Sequence, residues 1–222
     1  MRHMSFDFWN TIGKPNKTYA RERSQLLADV FGTSFDTAKA NYSKVKGALD
    51  HAAETEGVDH GRDYNIVKLC EAFGVERDQQ FRDQLQVEMD KLFAMYPPTI
   101  DDALIHELDR AHKMGITLSI GSNTNFIEGH TILAHVIGRR IPLAFSVFSD
   151  EVACSKPNPD FFKLIAGQAR QHNPLIRDNR DIIHIGDNDV CDCRGADAAG
   201  MRYAFTQHAD QTAMVLRGLL AN

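Results

Sequence analysis

The spacing of apolar residues changes character along this chain. A short strand-like run over residues 3–6 ends in Asp7, and a turn-rich exit over 12–16, marked by Gly13 and Pro15, follows it. From residue 17 to 96 the period is helical. Leu26, Leu27, Val30 and Phe31 run up to Gly32, and Ala38, Tyr42, Val45, Leu49 and Ala52 recur at three- and four-residue steps. Ile66, Leu69, Cys70 and Phe73 repeat the pattern, as do Phe81, Leu85, Met89, Leu92 and Tyr96. Four helices are predicted, the second opened by a cap arrangement at Thr33 and Asp36, and Pro97-Pro98 closes the stretch.

Beyond the prolines, helix and strand patterns alternate. A helix over 100–114 stops at Gly115, and a buried strand over 116–120 leads to Ser122. A helix over 126–137, ended by Gly138, precedes a strand over 143–148. Asn158 as N-cap with Pro159 at the first helical position starts another helix just after Lys156. The next strand, 181–185, delivers Asp187, and a helix over 190–199 and a last strand over 201–205 follow. Such alternation predicts a parallel sheet with helices on both faces, and ligands at the carboxyl ends of its strands. The fold class is α/β: a Rossmann-like core of residues 1–14 and 99–222 with an all-helical insertion over 15–98.

With 222 residues, 43% hydrophobic and 25% charged, the chain can bury roughly 70% of its extended-chain surface. The net charge of −5 is spread among interspersed acids and bases, so neither nucleic acid nor a membrane is expected as a partner. No apolar stretch reaches 18 residues and the first strand starts almost at once, which predicts a cytoplasmic protein without a signal peptide; the pattern does not choose between a monomer and a homodimer. Cys70, Cys154, Cys191 and Cys193 are scattered, as suits reduced thiols. Cys191 and Cys193 lack the paired spacing of a zinc site and read as small packing residues; His130 and His135 read as helix surface.

The candidate chemistry lies in four polar signatures behind the strand-like runs: DFWNT at 7–11, Ser122-Asn123, Lys156-Pro157, and GDNDVCD at 186–192. A carboxylate such as Asp7 can accept a phosphoryl group and split one hard step into two. Attack by one anion on another calls for a bridging dication, and hard oxygen ligands suit magnesium. Asp7 and Asp187 are placed to hold it. Lys156 would neutralise remaining charge and steady Asp7, while Ser122, Asn123, Thr11 and nearby N–H groups would bind phosphate oxygens. Asp192 fits an outer-shell or lysine-pairing role, and Asp189 reads as a solvated helix-start residue.

Taken together over 4–12, 116–124, 153–162 and 182–201, these motifs resemble the haloacid dehalogenase (HAD) superfamily. The resemblance implies Asp7 as nucleophile, Asp187 as metal ligand, Ser122 as phosphate contact and Lys156 as charge clamp. It also implies that Mg2+ takes the backbone carbonyl of Trp9, that the substrate is a small phosphorylated metabolite, and that 15–98 is a helical cap hinged near 13–16 and 97–99. Trp9 is a departure, since most phosphatases of the family carry there a second aspartate that protonates the leaving oxygen and later activates water. An indole does neither, general acid–base help is worth ~10²–10⁴ in rate, and Asn10 does not titrate.

Three alternatives follow from the missing acid. Dehalogenases acting on 2-haloacids resemble the chain at the nucleophile but use no metal, and their residue matching Asp187 is usually not acidic. Phosphonoacetaldehyde hydrolases keep magnesium and use a cap lysine, for which Lys39, Lys44, Lys46, Lys68 and Lys91 are available. The third is a phosphate-binding or regulatory module that has lost efficient chemistry. Within the insertion, Arg62 in the loop GRDYN and Lys44 or Lys46 read as leaving-group contacts or as solvated charge.

Overall fold

All four residues of β1 (His3–Phe6) are buried, because β1 is the middle strand of a five-stranded parallel sheet. It lies between β2 (Thr117–Ser122) and β4 (Ile182–Gly186), with β3 (Phe145–Phe148) beyond β2 and β5 (Arg202–Phe205) beyond β4. The order is β3-β2-β1-β4-β5. This computed structural model describes residues 1–139 and 141–221; Arg140 and Asn222, the expected last residue of the core, lie outside the described residues. Phe6 is level with Ile120 and Ile185, so β1, β2 and β4 release their next residues side by side at one edge.

Alternation along β1 decides what each face carries. Met4 and Phe6 join an apolar cluster with α5 (Asp102–Lys113), α6 (Gly129–Gly138) and α10 (Ala209–Leu220). The opposite face packs against α8 (Pro159–His172) and the short α9 (Gly195–Ala198), and a single turn, α7 (Ser149–Val152), follows β3. Polar residues occupy its centre. His3 bonds through Nδ1 to Thr117 Oγ1 and through Nε2 to Ser119 Oγ, both at 2.8 Å, and His184 Nδ1 meets Ser5 Oγ at 3.1 Å.

Burial, with like charge on nearby histidines, pushes the His3 pKa down to about 3, and burial lowers that of His184 as well. A folded-state pKa below the unfolded value makes the unfolded chain the better proton binder. Stability from His3 is therefore present above pH 6.5 and is lost as pH falls from there toward 3. Urea unfolding between pH 6.5 and 4.5 is expected to show this loss in wild type. In His3→Gln the slope should be shallower by up to about 1.4 kcal/mol per pH unit; identical slopes would count against the buried neutral histidine.

Between β1 and α5 the chain forms α1 (Lys17–Phe31), α2 (Phe35–Glu56), α3 (Arg62–Ala72) and α4 (Gln79–Met95). They share a second apolar cluster that includes Leu27, Tyr42, Ile66, Leu69 and Met89. The two chain crossings into this layer are pinned together: Lys14 N donates to Thr99 O at 2.8 Å and Thr99 N returns to Lys14 O at 3.0 Å.

Several local expectations are corrected. Ser34, not the Thr33–Asp36 arrangement, caps α2, because Thr33 N is already bonded to Ala28 O behind the left-handed Gly32. Arg62 is neither in a loop nor solvated. It opens α3 at 5% exposure, and its Nη1 donates to Asp90 and Glu128 at 2.9 Å and its Nη2 to Gln86 O at 2.8 Å, so it ties α3 to α4 and to the loop before α6. Phe126 does not open a helix. Its ring enters the α1–α4 cluster, 4.9 Å from that of Tyr42, and α6 starts at Gly129, whose N–H is held by Asp150.

The helix expected over 190–199 divides into a wide turn, Asp189–Arg194, in which Cys193 N reaches Asn188 O, and then α9. The last helix, α10, was not expected, although Ala209, Thr212, Ala213, Leu216 and Leu220 have helical spacing. No described helix is long and apolar enough to cross a membrane.

Candidate active site

Where β1 leaves the sheet, Asp7 N donates to Ile185 O at 2.8 Å, leaving the 6%-exposed carboxylate beside the ends of β2 and β4. The chain then turns sharply: Ile12 N and Gly13 N both bond to Phe8 O, and Asn10 takes a left-handed φ of 56°, tolerable for Asn. The turn brings Asn10 Nδ2 to Asp187 Oδ2 at 3.1 Å. Gly13 is required there, since a Cβ would lie 2.7 Å from the Phe8 ring.

From β2, the Ser122 hydroxyl donates to Asp7 Oδ1 at 2.9 Å. Asn123 clasps the backbone of Lys156, its Nδ2 donating to the carbonyl at 2.9 Å and its Oδ1 accepting from the amide at 2.8 Å. That clasp aims the lysine inward. At 2% exposure, Lys156 Nζ donates to Asp7 Oδ1 at 2.7 Å and to Asp192 Oδ1 at 2.6 Å. Asp192 also accepts from His184 Nε2 at 3.1 Å and, through Oδ2, from Asn188 N at 2.9 Å. The carboxylate packs directly over Gly186, where a Cβ would meet Asp192 Cγ at 2.1 Å.

Asp7, Asp187 and Asp192 each place an oxygen within 4.8 Å of the others. Three carboxylates lie around one ammonium, and burial works against the charged form of His184. Burial pushes Asp7 up to about 6 against the pull of Lys156, and the charges of Asp192 and Asp187 add to the rise. Burial also raises Asp187. Burial would raise Asp192 too, but attraction to Lys156 and the His184 hydrogen bond outweigh it, and its pKa falls. For Lys156, burial is likewise outweighed, here by Asp192 and Asp7, and the pKa rises. The surplus of negative charge and the all-oxygen donor set fit a hard dication.

The site opens into a cleft of about 360 Å³. Its floor holds Asp7, Asn123, Lys156, Asp187, Asn188, Cys191 and Asp192, and its roof Tyr19, Arg23, Tyr42, Lys46, Asp50 and Glu54 from α1 and α2. Trp9 is half-buried on its wall, edge-on to Phe8 and Phe93. Asp7 lines the cleft and turns Oδ1 to Ser122 and Lys156, while among the described residues none donates a hydrogen bond to its Oδ2.

Not every expected residue arrives. Thr11 is fully buried, does not line the cleft, and its carbonyl is held by Thr212 Oγ1 at 2.7 Å, so it is not a substrate contact in this arrangement. Ser122 and the Asn123 side chain are bonded to Asp7 and to Lys156. Asp189 pairs with Arg194 at 2.7 Å, away from the cluster. Of the lysines weighed, Lys46 lines the cleft, paired with Asp50, while Lys44 and Lys68 line a neighbouring cavity of about 340 Å³. His130 is exposed, whereas His135 is half-buried with Nε2 at 2.9 Å from Pro98 O. The four cysteines are free thiols, and Cys191, read as packing, faces the cleft.

Sequence reasoning passed over His184, Asn188 and Glu54. A lone histidine inside the apolar run IIHIG was a signal for the first; Glu54 carries none, as one polar residue on an amphipathic helix.

A family model described as haloacid dehalogenase-like hydrolase matches residues 1–200. No curated protein matches the sequence. Among solved structures, a HAD phosphatase from Thermococcus onnurineus aligns at a TM-score of 0.69 with 19% identity, covering 99% of this chain and 98% of that one. A 2-haloacid dehalogenase from Pseudomonas syringae pv. Tomato DC3000 gives 0.67 with 18% identity over 99% of both chains. The HAD-hydrolase YfnB from Bacillus subtilis, described as bound to magnesium, gives 0.71 with 16% identity over 97% of this chain and 98% of that one. At these identities the structures share a fold, and with the family match over most of its length the chain belongs to the haloacid dehalogenase-like hydrolases.

Proposed function

We propose that the chain is a magnesium-dependent phosphohydrolase that takes a phosphoryl group from a small metabolite onto Asp7 and passes it to water. One observation carries the reading: Asp7 has Oδ1 fixed by Ser122 and Lys156 and Oδ2 without a hydrogen-bond donor among the described residues, in a cleft that also holds Asp187. A carboxylate fixed at one oxygen and free at the other is prepared for in-line attack. Asp7, Asp187 and the Trp9 carbonyl would hold Mg2+, which would supply positive charge to offset the repulsion between nucleophile and phosphate. Asp192 remains behind as the second partner of Lys156, and Lys156 compensates charge as the phosphoryl group approaches. Asn123 acts on substrate through the lysine it positions and through its backbone.

Residues 15–98 serve as the lid, with Lys14–Thr99 and Asn16–Pro97 as its attachment, and the free thiols suit a cytoplasmic setting. The test is a screen of phosphorylated metabolites, with aryl and acyl phosphates included, with and without magnesium. Phosphate release that EDTA removes and magnesium restores is expected. Trp9 and the dehalogenase among the structural relatives favour a second reading, attack of Asp7 on carbon. Halide release from short 2-haloacids, with no phosphate released from any compound in the screen, would replace the first reading with the second.

A further inference from the structure

A phosphate monoester loses an alkoxide unless a proton meets it, and the acyl phosphate left behind needs a base to activate water. Trp9 supplies neither. The carboxylates of the cleft can be sorted by what already holds them. Asp7 is the nucleophile of the reading above, on which this inference rests. Asp192 is engaged by Lys156, His184 and Asn188 N, and Asp187 is bonded by Asn10 beside Asp7 on the floor. In the roof, Asp50 is neutralised by Lys46 and bonded by Asn125 at 3.1 Å.

Glu54 remains. It projects from α2, half-buried, into the same cleft, and its Oε1 accepts from Asn188 Nδ2 at 2.7 Å and lies 3.8 Å from Cys191 Sγ. Among the described residues no cation lies within ion-pair distance of it, unlike Asp50. Asn188 directly follows Asp187, so its hydrogen bond ties Glu54, in the roof, to the strand end that carries the Asp187 carboxylate, and a group displaced by Asp7 from the floor would leave toward that roof. A neutral amide can bond to Oε1 whether the carboxyl is protonated or not, so the side chain keeps its place through a proton cycle while Oε2 carries the proton.

We propose that Glu54 is the general acid and base that position 9 lacks. In the first step Asp7 Oδ2 bonds to phosphorus, the bond from phosphorus to the leaving oxygen breaks, and the Glu54 proton passes to that oxygen. In the second, water attacks phosphorus, its proton passes to Glu54, and the bond from phosphorus to Asp7 breaks with its electron pair returning to the carboxylate. Each turnover restores both residues.

The test is rapid-mix kinetics of wild type and Glu54→Gln with magnesium, on p-nitrophenyl phosphate and on an alkyl phosphate turned over by wild type. Nitrophenolate leaves without a proton, so Glu54→Gln should release one equivalent in a burst and then stall, its steady rate lower by ~10²–10⁴. Phosphorylated Asp7 should accumulate and be recoverable by acid quench and mass spectrometry. With the alkyl phosphate the burst should vanish too, and formate should restore turnover in Glu54→Ala. Steady rates of Glu54→Gln within about threefold of wild type on the alkyl phosphate, or a Glu54→Ala protein that melts like wild type yet gains nothing from formate, overturn the assignment. A wild type silent on every phosphate instead overturns the phosphohydrolase reading beneath it.

Discussion

Lys156→Met is expected to lower the melting temperature by ~6–20 °C while abolishing turnover. The ammonium is 2% exposed and bonds two carboxylates at 2.7 and 2.6 Å. A thioether of similar length fills the volume but leaves Asp7 and Asp192 buried without a cation. Removing one partner of a buried pair typically costs about 3–5 kcal/mol, mostly as the penalty on the stranded charge. The direction of the lysine pKa gives a second handle. Because its folded value lies above the unfolded 10.5, its contribution is fully present below that pH and is lost as the medium becomes more alkaline. Thermal melts of Lys156→Met and of Lys156→Met combined with Asp192→Asn check the account, since the double variant removes one stranded charge and should melt above the single one. A single variant that melts within about 2 °C of wild type would show that the three groups do not share charge as described.

Much of this was legible because a parallel sheet turns linear order into position. Asp7, Ser122 and Asp187 each follow a strand-like run, and strands that pair in parallel release their next residues at one edge. Lys156 was legible through Asn158-Pro159, a helix start that fixes where the preceding loop must lie. What was hidden depends on contacts between layers. Phe126 is apolar and precedes a helix, so its pattern cannot show that it serves the cluster of α1–α4. Arg62 sits in a polar run that reads as surface, and its partners Asp90 and Glu128 lie 28 and 66 residues away. The wide turn at Asp189–Arg194 comes from Asp192 folding back over Gly186 to meet Lys156 and Asn188 N, a constraint invisible in a helical period. Trp9 was visible as an absence of acid, whereas Glu54 became a candidate only once α2 was laid over the strand ends.

Asp7→Asn is expected to reduce turnover by on the order of 10⁴–10⁶-fold, the range met when a nucleophile is removed from a residue set that works as a unit. The amide keeps the shape and the Ser122 contact but cannot carry the phosphoryl group through the same intermediate. Substrate affinity should change far less than kcat, because the roof of the cleft is untouched. Stability should move the other way. The folded pKa of Asp7, about 6, lies above the ordinary aspartate value of 3.8, so folding takes up a proton between those values, and ionised Asp7 weakens the metal-free fold at neutral pH. Asn removes that penalty and the repulsion from Asp192 and Asp187. In EDTA at pH 7 the variant should therefore melt above wild type, and the gap should close as pH falls toward 4 and wild-type Asp7 takes up its proton. Magnesium should shrink the gap as well, by stabilising wild type more than a variant that has lost one anionic ligand. A variant that melts below wild type at pH 7 without metal would mean that the lysine contact outweighs burial at this carboxylate. Asp7 would then be a structural anchor more than a strained nucleophile, and turnover retained by the same variant would remove it from the chemistry altogether.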